Sequence, residues 1–289
     1  MKILIIGGEG QLGSSLAKLI KNESFAHFQS TTIDQLDVSK EEDIETFFEE
    51  NSFDYVINCT AYTAVDKAEN DQVTARLINS KAIQWIGRYA KLKNAGVIHV
   101  STDYVFSGES NLPLTTKDVV NPSSVYGLTK AAGEHLLMQE NEKSIIIRTS
   151  WLYSEYGSNF LKTMLKLGAE KEEINVVFDQ VGTPTYASDL ANAILHILKT
   201  ASSDSKHFVP GVYHYSNEGV CSWYDFAQMI FKLAHLDCKI KAVKSDLFPS
   251  VAKRPAYSVL DNTKIKKQFN ISIPFWVDSL EKCLKEITN

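Results

Sequence analysis

Lys2-Ile3-Leu4-Ile5-Ile6-Gly7-Gly8-Glu9-Gly10-Gln11-Leu12-Gly13 is the stretch that decides the fold of this chain. Ile3 to Ile6 is a short continuous apolar run, the pattern of a strand covered on both faces. Glycines at 7, 10 and 13 follow, and Gln11 to Lys21 has the periodicity of an amphipathic helix. In a strand, turn and helix of this kind the glycines let the chain turn sharply, let the backbone approach a pyrophosphate and let the helix pack close to the strand. The helix N-terminus then supplies N–H donors and a partial positive charge, so the anion needs no basic side chain. Gly7, Gly10, Gln11, Leu12 and Gly13 are accordingly the candidate dinucleotide-binding residues.

The same rhythm continues outward. Tyr55 to Asn58, Val97 to Ser101 and Ile145 to Arg148 repeat the buried-strand pattern. Between them lie helical stretches from Glu41 to Glu50, expected to open on a Ser39 cap with Glu42 three residues on, and from about Gln72 to Leu92. Alternation of this sort gives an α/β fold, a doubly wound parallel sheet with right-handed crossovers. Residues 1–150 are thus expected to form a Rossmann dinucleotide-binding domain, and 151–289 mainly a smaller C-terminal substrate-binding lobe, with 187–200 returning to the sheet. In that second part helices are expected at Asn159 to Leu167, Ala187 to Leu198, Trp223 to Ala234 and Val277 to Ile287, with a short strand at Val212 to Tyr215. Thr200 to Lys206 reads as a surface loop.

With 289 residues and 44% hydrophobic composition the chain can bury a full core. Its formal net charge of -5 argues against nucleic acid as a partner. The amino terminus enters the first strand directly, without the features of a secretory signal, and no apolar stretch approaches membrane-spanning length. The expectation is a cytoplasmic protein with no membrane partner. Cys59, Cys221, Cys238 and Cys283 show neither metal-ligand nor disulfide spacing.

Far downstream of the glycine loop, Tyr126 and Lys130 are four residues apart in Ser124-Val125-Tyr126-Gly127-Leu128-Thr129-Lys130. On a helix they share one face. A lysine ammonium beside a phenol stabilises the phenolate, which makes the tyrosine a usable proton donor near neutral pH. Paired with a dinucleotide loop, this points to hydride chemistry. The end of the second strand, Ser30-Thr31-Thr32-Ile33, carries neither the acidic residue that favours NAD nor the Arg that favours NADP. Asp37, next to Val38, has two readings, a helix cap or a contact to the adenine.

Several ordered segments resemble the extended short-chain dehydrogenases and, within them, the dTDP-4-dehydrorhamnose reductases. They are the glycine loop, Asn58 to Glu69, Ser101-Thr102-Asp103-Tyr104-Val105-Phe106, Tyr126 to Lys130, Arg148-Thr149-Ser150-Trp151, Asp179 to Thr185 and Lys253-Arg254-Pro255. The resemblance covers nearly the whole chain. It implies NADPH as cofactor, with NADH also accepted, and reduction of the C4 keto group of dTDP-4-dehydro-6-deoxy-L-mannose to dTDP-L-rhamnose. It implies a catalytic set of Thr102, Tyr126 and Lys130, with Tyr126 giving its proton to the carbonyl oxygen, Thr102 bonding the same oxygen and Lys130 holding the nicotinamide ribose. Asp37, Val38, Ala61 and Tyr62 fall at cofactor-facing positions. Tyr104, Trp151, Asn159, Gln180 and Arg254 fall at positions facing the sugar nucleotide, Arg254 toward the diphosphate.

The chain departs from the family pattern where some members hold magnesium between carboxylates at a dimer interface. Ser15 and Ser188 stand there, so a magnesium-bridged dimer is not expected, and the oligomer is a monomer or a homodimer. Two other readings stay open at this level: a non-catalytic dinucleotide-binding regulatory subunit, and an epimerase or dehydratase of the same superfamily. Dehydratases usually carry acidic residues beside the catalytic threonine, as Asp103 stands beside Thr102, but Thr-Asp-Tyr resembles the reductase pattern, so Asp103 is read as structural or orienting.

Overall fold

The structure is a computed structural model that describes residues 1–248 and 250–288. Its first half runs β1 (Lys2–Ile6), α1 (Gln11–Leu19), β2 (His27–Thr31), α2 (Glu41–Glu50), β3 (Tyr55–Asn58), α3 (Val65–Ala68), α4 (Gln72–Arg76), α5 (Ala82–Leu92), β4 (Gly96–Thr102), α6 (Val125–Glu140) and β5 (Ser144–Thr149). The second half runs β6 (Leu152–Tyr153), α7 (Phe160–Glu170), β7 (Glu173–Val177), β8 (Val181–Gly182), β9 (Thr185–Tyr186), α8 (Ala187–Ser203), β10 (Gly211–His214), β11 (Cys221–Ser222), α9 (Trp223–Leu233), β12 (Lys239–Val243), α10 (Thr263–Phe269) and α11 (Trp276–Thr288).

Six strands form the central sheet in the order β10-β5-β4-β3-β1-β2, and every pairing in it is parallel. Because successive side chains alternate between faces, Ile3 and Ile5 enter one core with α1 and α8 while Leu4 and Ile6 enter the other with α2, α5 and α6. Both faces are covered by helices, which is why these strands read as unbroken apolar runs. The strand order reverses between β1 and β3, the switch point outside whose carboxyl ends doubly wound sheets bind their ligands. A third core, built on Tyr153, Leu161, Phe226, Trp276 and Leu280, belongs to α7, α9 and α11. It stands beside two small pairings, β7 with β12 and β8 with β11.

Several local expectations change. The strand read at Val212 to Tyr215 is β10, and it joins the central sheet beside β5. Residues 200–203 are helical, as the end of α8, and Ser205–His207 forms a 3-10 turn in place of a loop. Ser39 does not cap α2, whose N-cap is Lys40 with no side-chain bond. The Ser39 hydroxyl instead donates to Asp37 Oδ1 at 2.7 Å, because the aspartate two residues back is a stronger acceptor within reach. The long helix from Gln72 to Leu92 exists but is interrupted by a π segment at Leu77–Lys81.

A buried amide ties the sheet layer to the third core. Asn217 Oδ1 accepts the Tyr186 N–H at 2.8 Å, and its Nδ2 donates to Asp189 Oδ2 at 2.8 Å and Ser279 Oγ at 2.9 Å. These partners lie at the start of α8 and on α11. Asn217→Ala leaves a buried carboxylate and a backbone N–H with fewer partners, and a loss of about 2–3 kcal/mol is expected in urea unfolding. A loss under about 0.5 kcal/mol would show that the bonds add nothing beyond water.

Candidate active site

The carboxyl edge of the sheet gathers most of the residues singled out in the sequence. β1 runs into the glycine loop, β3 into Ala61 and Tyr62, β4 ends on Thr102, and β5 is followed by Trp151. Gly7 turns with φ +82°, a conformation that a side chain resists, and any Cβ there would meet Thr60 Cγ2 at 2.8 Å. A Cβ on Gly13 would press on the Gly7 carbonyl and lie 2.6 Å from Gly8 Cα, so α1 packs against the turn itself. Gly10 is the N-cap of α1, no side chain caps the helix, and its first turn holds no acidic residue. The opening N–H groups at Gln11, Leu12 and Gly13 therefore have no partner within the helix and point to where an anion can sit. This cradle fits the pyrophosphate of a dinucleotide.

At the end of β2, Gly8 N–H donates to Thr31 O and Thr32 N–H to Gln35 Oε1. Asp37 accepts from the Ser39 N–H at 3.0 Å and pairs with Lys40 Nζ at 3.2 Å. Its carboxyl is held below the ordinary range chiefly by the Ser39 hydroxyl. Asp37 thus fastens the turn before α2, and Val38 beside it is buried in the core.

Helix α6 starts cleanly because the Ser124 side chain accepts the Gly127 N–H. Its buried face carries Tyr126, Lys130 and Glu134 at one-turn spacing. Glu134 takes the Arg148 guanidinium of β5 through Nε at 2.9 Å and Nη2 at 2.6 Å, a two-pronged pair with both side chains buried. Lys130 is 1% exposed, and its Nζ donates to Val100 O at 2.7 Å and lies 3.1 Å from His99 Nε2. Burial pulls its pKa down to about 8.

This arrangement corrects one expectation. The lysine does not lower the phenol here: burial pushes Tyr126 above its ordinary value, and only the neighbouring Thr102 side chain works in the opposite sense. Thr102 Oγ1 accepts the Tyr104 N–H at 3.2 Å and donates to Asp103 Oδ1 at 2.9 Å. Burial pushes the Asp103 carboxyl up to about 6. Thr102 and Tyr126 thus lie together, with the threonine proton directed at the aspartate that follows it.

The remaining candidates are placed as follows. Tyr104 stacks edge-on against Tyr126 with centroids 5.5 Å apart. Trp151 adopts φ +48°, rare for a bulky residue and costly by roughly 1–3 kcal/mol. Its indole lies flat on Trp223 at 3.6 Å, with Phe160 beside Trp223. Arg254 pairs with Asp66 of α3 at 2.9 Å. Asn159 caps α7 and donates to Gln11 Oε1 at 2.8 Å and Ser154 O at 2.8 Å, while Gln180 donates to Ser245 Oγ at 2.9 Å. The amides of Asn159 and Gln180 are engaged with the protein itself.

Residues that sequence reasoning missed hold this cluster in place. Asn79, in the π segment, accepts the Tyr62 N–H at 2.8 Å and donates to Thr129 Oγ1 at 3.1 Å. Its backbone carbonyl lies where a Gly133 side chain would begin, so α6 can approach only because residue 133 is glycine. His99 is fully buried within an apolar strand, and that break in an otherwise hydrophobic run was the available signal. Among the described residues no group of three or more His, Cys, Asp or Glu is placed to hold a metal ion, and no helix is long and apolar enough to cross a membrane.

A parallel doubly wound sheet joining an uncapped glycine-rich helix start to a buried Thr, Tyr and Lys defines the short-chain dehydrogenase class of dinucleotide-binding proteins. Within it, the chain belongs to the family described as the RmlD substrate binding domain, which matches residues 1–289. It is 38% identical to the dTDP-4-dehydrorhamnose reductase of Aggregatibacter actinomycetemcomitans, over 97% of each chain. A crystal structure of such a reductase from Clostridium acetobutylicum superposes with a TM-score of 0.94 at 39% identity, covering 100% of both chains. That of the Bacillus anthracis reductase in complex with NADP superposes with a TM-score of 0.91 at 34% identity, over 99% of each.

Gly13→Ala is expected to weaken binding of NADPH by at least about tenfold, roughly 1.4 kcal/mol, because the added methyl forces α1 off the turn. Nicotinamide fluorescence titration reads this directly, and unchanged affinity would remove the loop from the cofactor site.

Proposed function

We propose that the chain reduces the C4 keto group of dTDP-4-dehydro-β-L-rhamnose to dTDP-L-rhamnose with NADPH. The observation that carries this reading is full-length kinship to reductases of that name, joined to an intact Thr102, Tyr126 and Lys130 set at the carboxyl edge of the sheet. The cofactor supplies the hydride to C4. The protein's own task is to bind, orient and move one proton.

Tyr126 donates that proton to the C4 oxygen as charge develops on it. Its elevated pKa keeps the phenol protonated in the resting protein, so the acid form is present before substrate arrives. Thr102 bonds the same oxygen and fixes its direction. For this its hydroxyl must turn from Asp103 Oδ1, its acceptor in the resting protein, to the substrate oxygen. Lys130 holds the nicotinamide ribose. The Trp151 and Trp223 stack offers a rigid apolar wall to a deoxysugar face, held by the strained Trp151 backbone. Arg254 meets the diphosphate by exchanging Asp66 for phosphate oxygens, an exchange that a half-exposed pair permits at little cost. In this reading the lobe around the third core takes the sugar nucleotide while the sheet takes the cofactor. A charged nucleotide sugar and NADPH both stay inside the cell, which supports a cytoplasmic setting, and the protein acts there as a monomer or homodimer.

Mixing the protein with NADPH and enzymatically prepared dTDP-4-keto sugar should oxidise one NADPH per dTDP-L-rhamnose formed, followed at the nicotinamide absorbance. Tyr126→Phe removes the proton donor and little else, so turnover should fall by more than about a thousandfold, roughly 4 kcal/mol, with NADPH affinity kept. Turnover surviving within tenfold would show that another group supplies the proton.

A further inference from the structure

Lys130 Nζ meets His99 Nε2 at 3.1 Å, and His99 Nδ1 meets Asn58 Nδ2 at 3.0 Å. Hydrogen positions along this row follow from the partner at its far end. Asn58 Oδ1 accepts the Thr60 N–H at 3.1 Å and the Thr60 hydroxyl at 2.7 Å, which fixes the amide with its NH2 toward His99. An amide NH2 can only donate, so His99 Nδ1 accepts, and a neutral imidazole then carries its proton on Nε2. That proton points at Lys130. An ammonium has no lone pair with which to receive it, whereas a neutral amine accepts it and still donates to Val100 O.

We propose that Asn58 and His99 are positioning residues that hold Lys130 as an uncharged amine in the cofactor-free protein, so that the lysine takes up its proton only when it leaves His99. Burial acts in the same direction on both groups, depressing His99 far below its ordinary value and Lys130 to about 8. The titratable and charged groups around the amine are His99 from β4, Glu134 one turn on along α6 and Tyr126 one turn back. Glu134 favours the ammonium, but its carboxylate is already taken by Arg148 from β5. Asp103, after β4, faces Tyr126. The inference deepens the reductase reading, since it concerns the lysine of the reacting set, and it explains how a buried amine is tolerated before cofactor arrives. A buried ammonium without a carboxylate of its own costs several kcal/mol, and a neutral amine avoids that penalty.

The test is the ionisation of Lys130 read from its 13Cε shift in lysine-labelled, cofactor-free protein, assigned with Lys130→Arg. Burial alone brings the amine to about 8; the His99 proton aimed at it lowers it further, so the wild-type midpoint is expected below about 7, with the uncharged amine in the majority at neutral pH. His99→Met removes the donor and should raise it by at least about one unit, a tenfold change in proton affinity. Asn58→Asp is nearly isosteric, keeps acceptors for Thr60 and turns the Nδ1 partner from donor to acceptor. It moves the imidazole proton to Nδ1 and should raise the midpoint likewise. A wild-type midpoint above about 7, which leaves the ammonium in the majority at neutral pH, or variants that leave it unmoved, would overturn the proposal. The titration involves neither substrate nor turnover, so its failure leaves the reductase reading standing, and failure of turnover with the expected titration falls on that reading alone.

Discussion

A lysine and a glutamate on the buried face of α6 constrain everything around them. Burying charged side chains costs several kcal/mol unless each finds a partner of fitting geometry. Glu134 meets that demand with Arg148 from β5, and Lys130 avoids it as a neutral amine bonded to Val100 O and His99 from β4. Those partners come from two neighbouring strands, so α6 can sit at only one height and one rotation over the sheet. Tyr126, one turn earlier, is thereby delivered to the carboxyl edge beside Thr102. The approach itself depends on Gly133 lying against Asn79 in the π segment, which in turn fixes the backbone at Tyr62. Charge burial, helix height and the placing of Tyr126 beside Thr102 are one constraint.

The two halves of the crevice meet through polar side chains. Gln11, on the first turn of α1, accepts from Ser154 Oγ and Asn159 Nδ2 in the segment leading to α7. Arg254 reaches Asp66 on α3 from the far end of the chain. These contacts place the glycine loop and the segment leading to α7 in fixed relation. The Arg254 pair stays half-exposed.

The layered fold was legible in the sequence because parallel strands covered on both faces leave unbroken apolar runs, and Tyr55–Asn58 shows that pattern end to end. Gly7 and Gly13 were legible for the same kind of reason, since close backbone approach admits no other residue. β10 was read outside the sheet because its register with β5 depends on a connection of more than sixty residues, which no local pattern reports. The Ser39 cap failed through competition: Asp37, two residues back, was the better partner. The four-residue spacing of Tyr126 and Lys130 gave their common face but not the direction of the amine. That direction is set by His99 and Asn58, distant in sequence and joined to Lys130 only by the folded sheet.

In the proposed reaction hydride leaves the cofactor for C4 of a dTDP-4-keto sugar and remains in the product. NADPH stereospecifically deuterated at nicotinamide C4, incubated with the protein and that substrate, tests it most directly. With the label on the transferred face, one deuterium is expected at C4 of dTDP-L-rhamnose by NMR and mass spectrometry, with the cofactor oxidised in equal amount. Product carrying no deuterium from either labelled cofactor, or a bound cofactor returning its hydride with no net oxidation, would contradict it.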